Sequence, residues 1–163
     1  MGTRKPRVVL DSTVLSNFLQ IDQVALLRRL PFVLCTVPQV IAEIQQGMQE
    51  KKVPEASLEW LEVLELSDVE QQLFLKYHAF LGAGEAAALA VCQSRGPRLA
   101  TDDLSARRLS AQLQIPLTGT VGLLMLAVKM ELTTLQEADI WLQEMIGKGY
   151  HSPIRNLTEL NRV

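Results

Sequence analysis

Five carboxylates stand where a hydrolytic site would need them. Asp11 ends an apolar run, Arg7 to Leu10, and the doublet Asp102-Asp103 ends another, Arg98 to Thr101. Glu43 and Glu85 each lie in the first turns of an otherwise apolar helical stretch. Converging carboxylates without basic partners repel one another and raise each other's pKa. A divalent cation relieves that repulsion, and an all-oxygen donor set suits Mg2+ or Mn2+ rather than zinc, which prefers Cys and His. The two histidines, His78 and His151, lack metal-ligand spacing with either cysteine. Each acid taken alone also has a structural reading. Asp11, Asp102 and Asp103 are good helix N-caps, and Glu85 complements the dipole of a helix start. The set is more specific than its members, because all of them fall at strand ends or helix starts on one edge of a predicted sheet.

The elements that position these groups follow from the spacing of apolar residues. Arg7–Leu10, Phe32–Thr36, Arg98–Thr101 and Ile115–Thr118 have the short, continuous apolar pattern of buried strands. Helical spacing follows Asp11-Ser12-Thr13, runs from Val24 to Leu30, and resumes at Pro38 with Val40, Ile41 and Ile44 as its stripe. Gly47 is expected to weaken or end that helix. Lys51 to Pro54 is a polar break, and Ser57–Glu65, around Trp60, is either a short helix or an extended segment. Further helices are predicted over Val69–Leu81, Glu85–Gln93, Leu104–Leu113, Val121–Met130, Leu135–Ile146 and Ile154–Leu160. Gly82-Ala83-Gly84 opens the second of these, whose alanines allow close packing. Strands alternating with helices predict an α/β fold with a parallel, helix-covered sheet. Ligand sites in such sheets lie outside the carboxyl ends of the strands, where Asp11 and Asp102 fall.

The bulk composition agrees. With 163 residues, no internal repeat and no Pro/Gly/Ser-rich linker, residues 1–163 read as one domain. Hydrophobic residues make up 48% and aromatics 5%, which suits a helix-rich α/β domain better than an all-β sandwich. The net charge of −2 supplies no global field for nucleic acid. Attraction to a polyanion must come from a bound cation or from local clusters: Arg4-Lys5-Arg7, Arg28-Arg29, Arg95 with Arg98, or Arg107-Arg108. Each of these also reads as ordinary solvated charge. Cys35 and Cys92 sit in apolar runs and read as buried free thiols in a reducing compartment. The start of the chain has no apolar signal-like stretch, and no run reaches the roughly 18 apolar residues of a membrane span. A soluble, cytoplasmic protein is expected. The sequence lacks a P-loop and the Asp-x-Asp-x-Thr of haloacid-dehalogenase enzymes, which ranks a nucleotide-handling or phosphatase α/β protein last.

Five segments in order resemble the motifs of PIN domains. Val9-Leu10-Asp11-Ser12-Thr13-Val14-Leu15 resembles the opening strand-Asp-Ser/Thr signature, and Pro38 to Ile44 resembles the second motif, an apolar helix start carrying Glu43. Gly82-Ala83-Gly84-Glu85-Ala86 resembles the Gly-x-Gly-Glu-Ala form of the third, and Leu99 to Asp103 with Ala106-Arg107 resembles the fourth. Leu117 to Leu124 resembles the Gly-Thr-x-Gly-x-Leu run of a subgroup of predicted nucleic-acid-binding proteins. The resemblance extends from about Val8 to Leu160 and implies a three-layer α/β/α fold with a mostly parallel central sheet. It also implies Mg2+- or Mn2+-dependent cleavage of single-stranded RNA. Many members are VapC-like toxins of toxin–antitoxin pairs. Asp11, Glu43, Glu85 and Asp102 match the four acidic positions. Asp103 is a doubtful fifth, expected to cap the next helix while Asp102, directly off the strand, faces the metal. Thr13, Asn17 and Thr120 are candidates for orienting ligands or substrate. Lys51 to Leu66 has no counterpart in the motifs.

The expected activity is that of a metal-dependent endoribonuclease. Arg107 or Arg108 is expected to hold a flanking phosphate, or Arg107 instead pairs with Glu85 or Asp103. The alternative is a PIN-like module that binds RNA or a protein partner without cutting. The Ala- and Leu-rich helices Val69–Leu81 and Val121–Met130 either fill the core or leave apolar area for an antitoxin helix or a homodimer.

Overall fold

The computed structural model describes residues 4–161. Five strands form one all-parallel sheet in the order β3-β2-β1-β4-β5. β1 (Arg7–Leu10) occupies the centre because Val8, Val9 and Leu10 present apolar surface to both faces, and all three are fully buried. It pairs with β2 (Val33–Thr36) on one side and β4 (Arg98–Ala100) on the other. β3 (Glu62–Val63) and β5 (Leu117–Thr118) are two-residue edge strands. Among the described residues, eight helices complete the α/β/α sandwich: α1 (Ser12–Gln20), α2 (Val24–Arg29), α3 (Pro38–Gln49), α4 (Asp68–His78), α5 (Ala83–Arg95), α6 (Leu104–Gln112), α7 (Thr120–Lys129) and α8 (Leu135–Gly147). A 3-10 helix follows at Leu157–Asn161.

The topology marks one position as special. From β1 the chain steps outward through β2 to β3, then returns across the sheet through α4 and α5 to lay β4 on the far side of β1. The strand order therefore reverses between β1 and β4, and the crevice beyond their carboxyl ends is the switch point of the sheet. Register makes the two ends flush: Leu10 pairs with Ala100, and the Asp11 N–H donates to the Ala100 carbonyl at 3.0 Å.

α5 drives the packing on the return path. Residues Ala86 to Cys92 are all buried, so this helix is apolar all round and is enclosed by α3, α4, α6 and the sheet. Cys35 and Cys92 are free and buried. Burial pushes the Cys35 thiol up to about 11 and raises that of Cys92 further, so both stay protonated at neutral pH.

The structure redraws four local expectations. α3 runs through Gly47 to Gln49; a Cβ there would lie 3.0 Å from Val53 Cγ2, so close packing offsets the weak helix propensity of glycine. Ser57–Glu65 is extended, with a turn in which the Trp60 indole donates to the Ser57 carbonyl and then β3. α4 is bounded at its start by a reciprocal Ser67–Glu70 capping box and stops at His78, short of Leu81. The C-terminal helix expected over Ile154–Leu160 is a 3-10 turn beginning at Leu157.

Candidate active site

Asp11 is the N-cap of α1, and it is completely buried. Its Oδ1 accepts from the Val14 N–H at 3.2 Å and from the Thr13 hydroxyl at 2.6 Å, while Oδ2 accepts from the Thr101 hydroxyl. Burial raises its carboxyl to about 7, those three donors oppose the rise, and the facing Asp102 adds to it. Asp102 leaves β4 and enters the same crevice. Its Oδ2 accepts from Asn17 Nδ2 at 3.1 Å and from the Thr120 hydroxyl at 2.5 Å, and Oδ1 accepts from the Thr120 N–H at 2.9 Å. The Thr13 hydroxyl accepts from the Asp102 N–H at 2.9 Å, so a single side chain joins the two aspartates. Asn17 also donates to Thr120 at 3.1 Å.

A second group of acids adjoins the first. Glu43, on the first turns of α3, accepts from the Ser12 hydroxyl at 2.6 Å and from the Gly84 N–H at 2.5 Å. Ser12 neighbours Asp11 in the chain, and Gly84 lies in the first turn of α5. Glu85 folds back so that Oε2 accepts from the Gly82 N–H at 2.9 Å, closing the start of α5. Burial raises its carboxyl, with Asp103 and then Glu43 adding to the rise. Asp103 is the N-cap of α6, with Oδ2 accepting from the Ala106 N–H at 2.8 Å. All five acids named from the sequence thus lie at one edge of the sheet, as a switch-point pair, Asp11 and Asp102, and a flanking set, Glu43, Glu85 and Asp103.

The donor chemistry fits a hard divalent cation: five carboxylates, no thiolate, no imidazole, and one buried carboxyl, raised to about 7, whose ionised form nearby positive charge would favour. The oxygens of Asp11, Asp102 and Glu43 are already engaged by protein donors, and among the described residues no three acidic, His or Cys side chains converge closely enough to grip a metal as they stand. Arg107 does not form the ion pair with Glu85 or Asp103 that the sequence offered. Its guanidinium donates to the Thr101 and Thr118 carbonyls at 2.7 and 3.1 Å, lashing the ends of β4 and β5 together. Gly119 matters for space alone: a Cβ would sit 2.6 Å from Asp102 Oδ1 and 3.2 Å from the Thr101 carbonyl.

Four contributors escaped the sequence reading. Thr101 and Ser12 are ordinary hydroxyls whose partners come from distant segments. The Gly84 N–H is backbone and invisible to motif spacing. Tyr150, beyond α8, places its hydroxyl 3.4 Å from Asp102 Oδ1; burial and that carboxylate push its phenol above the ordinary range. Its one sequence signal is its place in Lys148-Gly149-Tyr150-His151, a short basic stretch with an aromatic residue.

The fold is an α/β/α sandwich whose parallel sheet gathers carboxylates at its switch point, Asp11 fully buried and Asp102 partly so. The chain belongs to the PIN-domain family: DUF3368, a PIN domain, matches residues 7–162. Among solved structures, the crystal structure of PAE2754 from Pyrobaculum aerophilum superposes with a TM-score of 0.53 at 19% identity, covering 78% of this chain and 94% of that one. At that identity the likeness speaks to the fold. No curated protein matches the chain significantly.

Proposed function

We propose that the chain is a metal-dependent endoribonuclease that hydrolyses single-stranded RNA at the switch-point crevice. The observation that carries this reading is the placement of Asp11. A fully buried carboxylate faces a second one across the β1–β4 junction, with its pKa raised to about 7. Burying an acid beside another acid costs folding free energy, and such groups cluster at functional sites. Mg2+ or Mn2+ would be held by Asp11 and Asp102 with Asp103, Glu43 and Glu85, and when bound it lowers the pKa of water and neutralises phosphoryl charge. The protein's own part is to aim the acids. Thr13 and Thr101 hold Asp11 from two sides, Asn17 and Thr120 hold Asp102, and the start of α5 holds Glu43. Arg107 fixes the strand ends from which these residues leave.

The test is cleavage of single-stranded RNA in Mg2+ or Mn2+ by wild type, Asp11→Asn and Asp102→Asn. Wild type should cut, and either variant should lose at least a hundredfold in rate; equal rates in all three would remove this site from the reaction. The toxin role in a toxin–antitoxin pair rests on the resemblance alone. Growth arrest on expression, relieved by Asp11→Asn, is its test.

A second reading is favoured by the saturation of Asp11 and Asp102 with protein donors: a PIN-like module that binds RNA or a protein without cutting. Calorimetric titration with Mn2+ separates the two, since heat that disappears in Asp11→Asn supports the nuclease and no heat near neutral pH supports the module.

A further inference from the structure

The segment after α8 carries features that the carboxylate site does not use. Between Glu144 and Glu159 the chain has no acidic residue, but it holds Lys148, His151 and Arg155 in a protein of net charge −2. Tyr150 plants this segment against Asp102. Two residues on, the Ser152 hydroxyl donates to the Ile154 carbonyl at 2.6 Å and accepts from the Ile154 N–H at 3.2 Å. Ser152 then lines a cavity of about 480 Å3 with Ile146, Pro153, Ile154, Arg155 and Glu159. Tyr150, at Asp102, and Ser152, in the cavity wall, are two residues apart, so the chain itself leads from the crevice to the cavity. The backbone is fixed there: Gln143 Nε2 donates to the Arg155 carbonyl at 2.6 Å, and Leu157 N–H donates to Asp139 at 2.8 Å. Among the described residues the Arg155 guanidinium makes no ion pair.

We propose that this cavity is a subsite for one nucleotide of a single-stranded RNA flanking the scissile phosphate, a proposal that rests on the nuclease reading above. Ile146, Pro153 and Ile154 supply apolar surface for a base, and Arg155 supplies a fork of donors for its phosphate. The volume falls within the range of small-ligand sites, roughly 300–1,000 Å3. The second cavity, about 410 Å3 and lined by Arg7, Glu62, Leu64, Arg95, Gly96 and Pro97, lies at the opposite edge of the sheet. Its cations are spent, Arg7 on Glu62 and Arg95 on Glu70.

The experiment uses the full chain carrying Asp11→Asn, so that RNA stays intact, and a fluorescein-labelled 12-nucleotide single strand read by anisotropy. Adding Arg155→Ala should weaken binding roughly five- to twentyfold, and Arg155→Lys should recover part of it. Ile154→Ala should weaken it less, and Arg7→Ala in the other cavity should leave it within about twofold. In the Asp11-containing enzyme, Arg155→Ala should raise KM more than it lowers kcat. Unchanged affinity in Arg155→Ala and Ile154→Ala, with RNA still bound and cut by wild type, would overturn the subsite and leave the nuclease reading intact. RNA neither bound nor cut by wild type would overturn both. Circular dichroism of each variant guards against misreading a folding defect, and 4-thiouridine crosslinks falling outside residues 146–155 would count against the subsite independently of any substitution.

Discussion

Asp11 couples folding to pH in a direction set by its surroundings. Its carboxyl sits near 3.8 when solvated and near 7 when folded. Between those values the unfolded chain has released its proton and the folded chain still holds it. The stabilisation is therefore complete below about pH 4 and is lost as pH rises through 7. Asp11→Asn is neutral at every pH and escapes this loss. In EDTA, the stability of the variant relative to wild type should rise by roughly 2–3 kcal/mol between pH 5 and pH 8. Urea melts at the two pH values measure it, and parallel curves would mean that Asp11 is not desolvated as described. Mn2+ should reverse the ranking at pH 8 by stabilising wild type alone. Gly119 is the other residue on which Asp102 depends. Its φ of −151 is open to any residue, so space alone decides. Because the Thr101 carbonyl is fixed by the sheet, Gly119→Ala must displace Asp102 from the Thr120 N–H. A cost of about 1–3 kcal/mol is expected, with RNA cleavage falling at least tenfold. A variant that melts and cuts like wild type would show that the crevice has slack.

At the scale of elements, α4 buries Tyr77 but leaves Val69 and Leu75 more than half exposed, as is Phe80 just beyond its end. Its attachment to α5 relies on Glu70, 1% exposed, which accepts from Arg95 Nε and Nη2 at 2.8 Å each. Arg95 holds the Glu70 carboxyl down at about 2, so this contribution is present above pH 4.5 and lost as pH falls toward 2. The two partners are unequal, because the Arg95 side chain is 38% exposed and can rehydrate, whereas Glu70 cannot. Arg95→Ala should therefore cost about 3 kcal/mol and Glu70→Gln distinctly less, with α4 amides exchanging faster in both. The opposite order in thermal melts would mean that the pair is not what holds α4. Nothing in local spacing announces this bond, since its partners are 25 positions apart. The same blindness explains β3: Glu62 and Val63 are both exposed, and only pairing with Cys35 and Thr36 makes them a strand. β1, β2 and β4 were legible because they are apolar on both faces, and α5 because a run of alanines has few other uses. The end of α4 was not, because Phe80 and Leu81 continue its apolar content while the chain turns before the glycines.

For the whole molecule, one edge of the sheet was legible and its finish was not. Acids at strand ends and helix starts were readable from spacing, because a parallel sheet with helical returns sends every carboxyl end to one side. Which hydroxyl meets which acid was not readable, since Thr101 with Asp11 and Ser12 with Glu43 depend on how the helices are seated. Tyr150 was equally out of reach, 48 positions beyond the aspartate it touches and outside every motif. Charge at this scale leads to a last prediction. The chain as a whole does not attract RNA, and of the basic clusters Arg7 and Arg95 are paired and Arg107 is bound to carbonyls. Lys148 and Arg155 lie on the segment that Tyr150 seats against Asp102. Two phosphate contacts to a single strand, each releasing ~0.7 counterion, give a slope of log affinity against log salt near −1.4. Between 50 and 200 mM monovalent salt, the affinity of Asp11→Asn protein for single-stranded RNA should then fall only about sevenfold. Arg155→Ala should flatten that slope by about half. A steep dependence that survives Arg155→Ala would place the RNA elsewhere, with Arg28, Arg29 and Arg108 the next basic groups to replace, whereas a shallow one leaves recognition to the crevice and the few groups that line it.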